Sequence, residues 1–156
     1  MTLNNPRIAS EAEILEVISD YSLPSTPAIF QTNPATGTFV ANPEKINDAN
    51  VALPARADTI AQYAEVDLGG IYQIKQWRQY GESTLQNGDG EWKIQYWNLK
   101  NQAWTDWVTG IVTRATADWS TLAAGPNVRT NGIRIVCVTV DTGGNKSQLR
   151  ELEVIR

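Results

Sequence analysis

The chain has 156 residues, 42% of them hydrophobic, with six Trp, five Tyr and two Phe against a charged fraction of 19%. That is enough apolar surface for one full core and too little charge for a disordered tail. A net charge of -4 with 13 scattered Lys and Arg offers no cationic surface for nucleic acid; the absence of His removes Ser-His and Cys-His nucleophile pairs and the commonest zinc ligand.

Ser10 and Glu13 have the spacing of a capping box ahead of Ile14, Leu15, Val17, Ile18 and Tyr21, which predicts a short amphipathic helix over residues 10–21, stopped by Pro24. Residues 1–24 form a helical extension in this reading, and residues 25–156 the main domain. The helix either covers an open end of that domain or docks a partner or a second copy. No stretch reaches the ~20 apolar residues a bilayer crossing needs, and the first residues lack the basic-then-apolar pattern of a secretion signal. No membrane insertion is expected. An extracellular or virion-surface location would require a longer parent protein, another export route, or release by lysis.

From Ser22 to Asp58 the chain is rich in Pro, Thr, Asn and Ala. Short strands are predicted at 28–31 and 38–40, between turns at Asn33-Pro34 and Asn42-Pro43. A loop follows, Ile46-Asn47-Asp48-Ala49-Asn50, with closely spaced side-chain oxygens. In Ala64 to Ile74, apolar Val66 and Leu68 alternate with Glu65 and Asp67 up to Gly69-Gly70, which predicts strand, tight turn and strand. Trp92, Ile94 and Tyr96 alternate onto one core face. Trp97 is out of phase, and Trp119 lies in a segment without strand pattern, so these two are candidates for exposure. The apolar run from Ile133 to Val140 reads as a strand buried on both faces, with Cys137 a small core residue. Leu152 and Val154 alternate with Glu151 and Glu153 in a closing strand. Turns at Gly69-Gly70, 87–90, Lys100-Asn101, Gly125-Pro126, Asn131-Gly132 and Gly143-Gly144 set a rhythm of short strands, predicting an antiparallel all-β sandwich.

The order of the Asp48 loop, Glu65-Val66-Asp67-Leu68-Gly69, Trp92 to Tyr96 with Trp104 eight residues on, Gly132-Ile133-Arg134-Ile135 and Glu151-Leu152-Glu153-Val154 resembles the discoidin superfamily. This is also called the coagulation factor type C or galactose-binding-like fold, and it includes many bacterial carbohydrate-binding modules. The resemblance implies an antiparallel jelly-roll β-sandwich, here with a short N-terminal helix added. It also implies that Trp104, where similar domains carry a packed Trp, and Trp77, where they carry an aliphatic core residue, face the interior, with Trp107 facing the same interior as Trp104. In similar modules a loop like this one holds a structural calcium with an acid of the closing strand, which maps to Asp48, Asn50 and Glu151. The chain departs from that pattern in having Ala49 where Gly is usual and Leu53-Pro54-Ala55 where a Thr and a Trp are usual. Calcium and an ordinary polar turn both remain open readings.

An exposed Trp in a sandwich loop can stack on the C–H face of a sugar while amides and charges fix the hydroxyls. Trp119 is read as that platform or as loop packing, with Arg56, Glu82, Asn145 and Lys146 as polar partners. Similar modules often carry Arg near the position of Glu82, so galactose specificity does not transfer. Glu65, Asp67, Glu82, Asp89 and Glu91 are the carboxylates a glycosidase could draw on, but Glu65 and Asp67 share one solvent-facing side of a strand, and no enzyme is expected. The first reading is a non-catalytic carbohydrate-binding module that holds a glycan or polysaccharide by loops at one end. The alternative is a structural or attachment protein of a larger assembly such as a virion, with the sandwich and N-terminal helix contacting a protein partner or forming a homo-oligomer.

Overall fold

The computed structural model describes residues 33–81, 90–113, 116–140 and 147–156. The helix expected over 10–21 and the strand at 28–31 lie outside the described residues. Eight strands follow in order: β1 (Thr36–Gly37), β2 (Ala55–Ala57), β3 (Tyr63–Tyr80), β4 (Glu91–Asn98), β5 (Ala103–Val112), β6 (Ala123–Thr139), β7 (Ser147–Leu149) and β8 (Glu151–Ile155), with a 3-10 turn at Pro43–Ile46. All pairings between them are antiparallel. The main sheet runs β1-β3-β6-β4-β5, β8 adds to β3, and β2 pairs β7 separately.

Two long strands, β3 and β6, organise the molecule. Asp67 pairs Gly132, yet the next pair along is Tyr72 with Thr130, so Leu68 to Ile71 stand against Asn131 alone. Gly69 has φ 70° there, a left-handed conformation that costs glycine little. A bulge of this kind bends both strands and increases their twist. On one side of it β3 pairs β1; on the other it pairs β8, from Gln76 with Ile155 to Tyr80 with Glu151. Both halves of the bent pair, together with β2 and β7, enclose one apolar cluster that includes Val66, Leu68, Ile74, Trp92, Ile94, Ile133, Ile135, Leu149, Leu152 and Val154. Each large side chain buried this way contributes about 1.5–3 kcal/mol. The result is the expected β-sandwich.

Three expected turns are therefore corrected. Gly69-Gly70 is a bulge within β3, and Gly125-Pro126 and Asn131-Gly132 lie inside β6. Turn-forming residues here serve to bend long strands rather than to end them, because the pairing of β3 with β6 lapses at each bend and resumes beyond it between the same two strands. The Lys100-Asn101 turn is present between β4 and β5, and Asn98 Oδ1 accepts from the Lys100 and Asn101 amides at 3.0 and 3.2 Å. The strand expected at 38–40 is replaced by β1 at Thr36–Gly37. Trp92 is fully buried, with its indole N–H donating to Thr113 Oγ1 at 2.9 Å. Trp107 faces inward as expected, whereas Trp104 pairs with Trp97 and shares its outer face of the sheet. Trp104 and Trp107 are three residues apart, so a period of two places them on opposite faces, and Trp104 shares the outward face of its partner Trp97. Cys137 is buried, and burial pushes its thiol up to about 11, which leaves it an unreactive core residue. Among the described residues no helix is long and apolar enough to cross a membrane.

Candidate functional site

Strand pairing brings several chain segments to one end of the sandwich. Glu91 at the start of β4 pairs both Val112 and Thr139. A Cβ built on Gly90 would collide with Ser147 and the Thr139 carbonyl, so β7 starts where β4 starts. The Gly81 amide donates to the Asp118 carbonyl at 3.1 Å. The described residues that flank segments 82–89, 114–115 and 141–146 thus meet at this end. Glu82, Asn145 and Lys146 lie outside the described residues.

Two of the expected ligand contacts are described. Trp119 bridges Tyr80 as an isolated β-pair, and the two rings meet edge-on with centroids 5.5 Å apart. The Arg78 guanidinium lies 4.4 Å from the centre of the Trp119 ring and is ion-paired to Glu153. The Tyr80 hydroxyl donates to the Ala117 carbonyl at 2.6 Å. Trp119 is consequently half-buried, held by a cation–π contact worth about 0.5–1 kcal/mol at such sites and an aromatic edge. Arg56 sits in β2 opposite Gln148, bridged also to Ala41. It is half-buried, and its Nε has no hydrogen-bond partner. Arg78 was not singled out in the sequence, although it lies two residues before Tyr80 on an alternating strand and so shares its face.

Glu151 and the Asp48 loop also come together near this end, since Glu151 pairs Tyr80. Ala49 takes φ 60°, so alanine adopts the left-handed turn in which glycine is usual. The Ala49 amide donates to Glu151 Oε1 at 3.2 Å. The Asn50 amide donates to Asp48 Oδ1 at 3.0 Å and the Ala52 amide to Asn50 Oδ1 at 3.1 Å. Lys45 Nζ lies 2.7 Å from Asp48 Oδ2. Glu151 itself is completely buried, and Oε2 has no partner. Burial, with the nearby charge of Asp48 as a lesser cause, pushes its carboxyl up to about 7. A buried acid with an orphaned oxygen calls for a proton or a cation. That oxygen and the loop's oxygen-rich chemistry suit a hard cation, while Asp48 and Asn50 are already engaged in the loop's own turns. Among the described residues no three acidic, His or Cys side chains cluster closely enough to form a metal cage.

No protein-family model matches the sequence, and no curated protein matches it. Solved structures do match. CpGH89CBM32-5 of Clostridium perfringens, in complex with GalNAc-β-1,3-galactose, is 14% identical with a TM-score of 0.66, covering 84% of this chain and 100% of that one. The family 32 module of C. perfringens NanJ, in complex with galactose, is 17% identical with a TM-score of 0.63, over 83% and 98%. Chitosan-binding module 1 from a chitosanase/glucanase of Paenibacillus sp. IK-5 is 16% identical with a TM-score of 0.60, also over 83% and 98%. These are carbohydrate-binding modules of the galactose-binding-like fold, and the chain shares that fold over most of its length.

Proposed function

We propose that this protein is a non-catalytic carbohydrate-binding module that takes a glycan at the end of the sandwich where segments 82–89, 114–118 and 141–146 leave the strands. The convergence of the strand ends carries the reading. Gly81 meets Asp118 beside Trp119, while Gly90, Thr139 and Ser147 meet at the start of β4, and a rigid sandwich with variable loops at one end is a common platform for recognition. Structural similarity to modules solved with saccharides supports the same class of ligand. One face of Trp119 stacks on Arg78, so a sugar would use the other face, with Arg56, Glu82, Asn145 and Lys146 as its polar partners.

In the same reading Asp48, Asn50 and Glu151 hold a calcium ion that staples the loop to β8. The support is the unpartnered Glu151 Oε2 beside the Asp48 loop. Such an ion would neutralise the buried carboxylate and perform no chemistry. A glycan array probed with and without chelator tests both statements. Binding that Trp119→Ala abolishes supports the loop-end site, and chelator-sensitive thermal stability supports the calcium. Binding untouched by Trp119→Ala would remove the platform from the loop end, and a melting temperature indifferent to calcium and chelator would remove the metal.

A further inference from the structure

The outward-facing residues of β3, β4, β5 and β6 form a second recess, which neither the loop end nor the Asp48 loop uses. It lies six residues along β4 from Glu91, roughly 20 Å at about 3.3 Å per residue. Trp97 and Trp104 are paired directly across β4 and β5, with ring centroids 5.5 Å apart and planes at 74°. Gly132 of β6 lies beneath them, and a Cβ there would come within 3.2 Å of Trp104 and 3.5 Å of Trp97. Glycine lets both indoles close over the strand. With Glu65, Asp67, Thr36 and Asn131 they line a cavity of about 220 Å³, small beside the ~300–1,000 Å³ of pockets for drug-sized ligands and suited to a single ring.

The indole wall is pre-positioned. The Arg134 guanidinium lies 4.6 Å from the Trp104 ring centre and 5.2 Å from that of Tyr63, and its Nε donates to Gln95 Oε1 at 2.6 Å. Glu65 pairs across the strands with Arg134 and feels its charge, yet the guanidinium stacks on the two rings and bonds Gln95 rather than Glu65. The Glu65 carboxylate makes no hydrogen bond or ion pair with any described residue. Asp67 accepts from the Gly69 amide through Oδ1 at 2.9 Å, which leaves Oδ2 available. The Asn131 side-chain oxygen is buried without a partner. An aromatic wall faced by two acceptor-only carboxylates therefore occupies one small recess on paired strands. Carboxylates so placed repel acidic sugars and favour a donor that carries positive charge, because charge-assisted hydrogen bonds are about twice as strong as neutral ones.

We propose that this recess is a second saccharide site for one pyranose ring bearing a protonated amine, with the ring's C–H face on Trp97, Trp104 standing at its edge, and the ammonium held by Glu65 and Asp67. It stands independently of the loop-end reading. The test is an NMR titration at about pH 6, where such an amine is charged, following the six indole N–H signals on addition of glucosamine, N-acetylglucosamine, glucose or methylammonium. Glucosamine should shift the Trp97 and Trp104 signals. Glu65→Gln, which breaks no hydrogen bond or ion pair with a described residue and loses only the cross-strand charge attraction to Arg134, should weaken that binding by about 10-fold or more, the worth of one charge-assisted hydrogen bond. Trp97→Ala should abolish it and Trp119→Ala should leave it intact. The proposal is overturned if glucosamine leaves both signals unmoved, if glucose or methylammonium binds as well as glucosamine, if Glu65→Gln is without effect, or if Trp119→Ala abolishes the shifts.

Discussion

Trp119 and the Trp97–Trp104 pair are half-buried aromatics on one sandwich, but they are held in different ways. Trp119 stands at a strand bridge beside loop segments, with Arg78 on its face and Tyr80 at its edge. Trp97 and Trp104 stand opposite each other on the paired strands β4 and β5, and their neighbours Gln95, Asp106 and Arg134 form one hydrogen-bonded and stacked row. Sites built on strands keep their geometry better than sites built on loops. The loop end is accordingly suited to adaptable recognition, and the sheet face to a small ligand of fixed shape.

The strongest perturbation removes what the two sites share. Trp92 lies at the centre of the core, touches Phe39 and bonds Thr113. Trp92→Ala should cost about 3–5 kcal/mol and abolish ligand responses at both sites together; a denaturant melt showing less than about 1 kcal/mol would contradict a common core.

Protonation of Glu151 is next in size. Its carboxyl titrates near its ordinary value when unfolded and at about 7 when folded, so between those values the folded state keeps a proton that the unfolded state has released. In metal-free buffer, stability should therefore fall as pH rises from about 4.5 to 7 and level off above, by on the order of 3 kcal/mol. Glu151→Gln should flatten this slope, since Gln resembles the neutral acid. Calcium should flatten it too, by stabilising the carboxylate at high pH. A slope that persists in Glu151→Gln would assign the effect to another group.

Smaller effects separate the two tryptophan sites. Gly132→Ala should push Trp97 and Trp104 outward by a few tenths of an ångström, costing roughly 1 kcal/mol and changing their indole signals but not that of Trp119. Arg78→Gln should do the reverse, uncovering Trp119 for about 0.5–1 kcal/mol and changing its signal alone. If either variant moved both sets of signals, the sites would be coupled through β3 and β6.

Alternation made the core legible before any coordinates. Val66 and Leu68, Trp92 and Ile94, and Leu152 and Val154 all point inward as their period of two requires. Alternation also placed Glu65, Asp67 and Trp97 outward, which is half of the sheet-face recess. Trp104 was misplaced for another reason: it stands three residues from Trp107, so alternation puts the two on opposite faces, and the inward expectation rested on the resemblance alone. The Gly69-Gly70 step was misread because such a step allows a hairpin and a strand bend equally, and only partner strands choose between them.

The sequence by itself determined the class of fold, the core faces of β3, β4 and β8 and the exclusion of His-based chemistry, because these depend on local period and residue type. The tertiary structure decided which distant groups meet: Arg78 over Trp119, Ala49 against Glu151, and Trp104 beside Trp97, Gly132 and Glu65. Those meetings depend on strand register and on the bend at Gly69, and register is set by pairing between segments far apart in the chain.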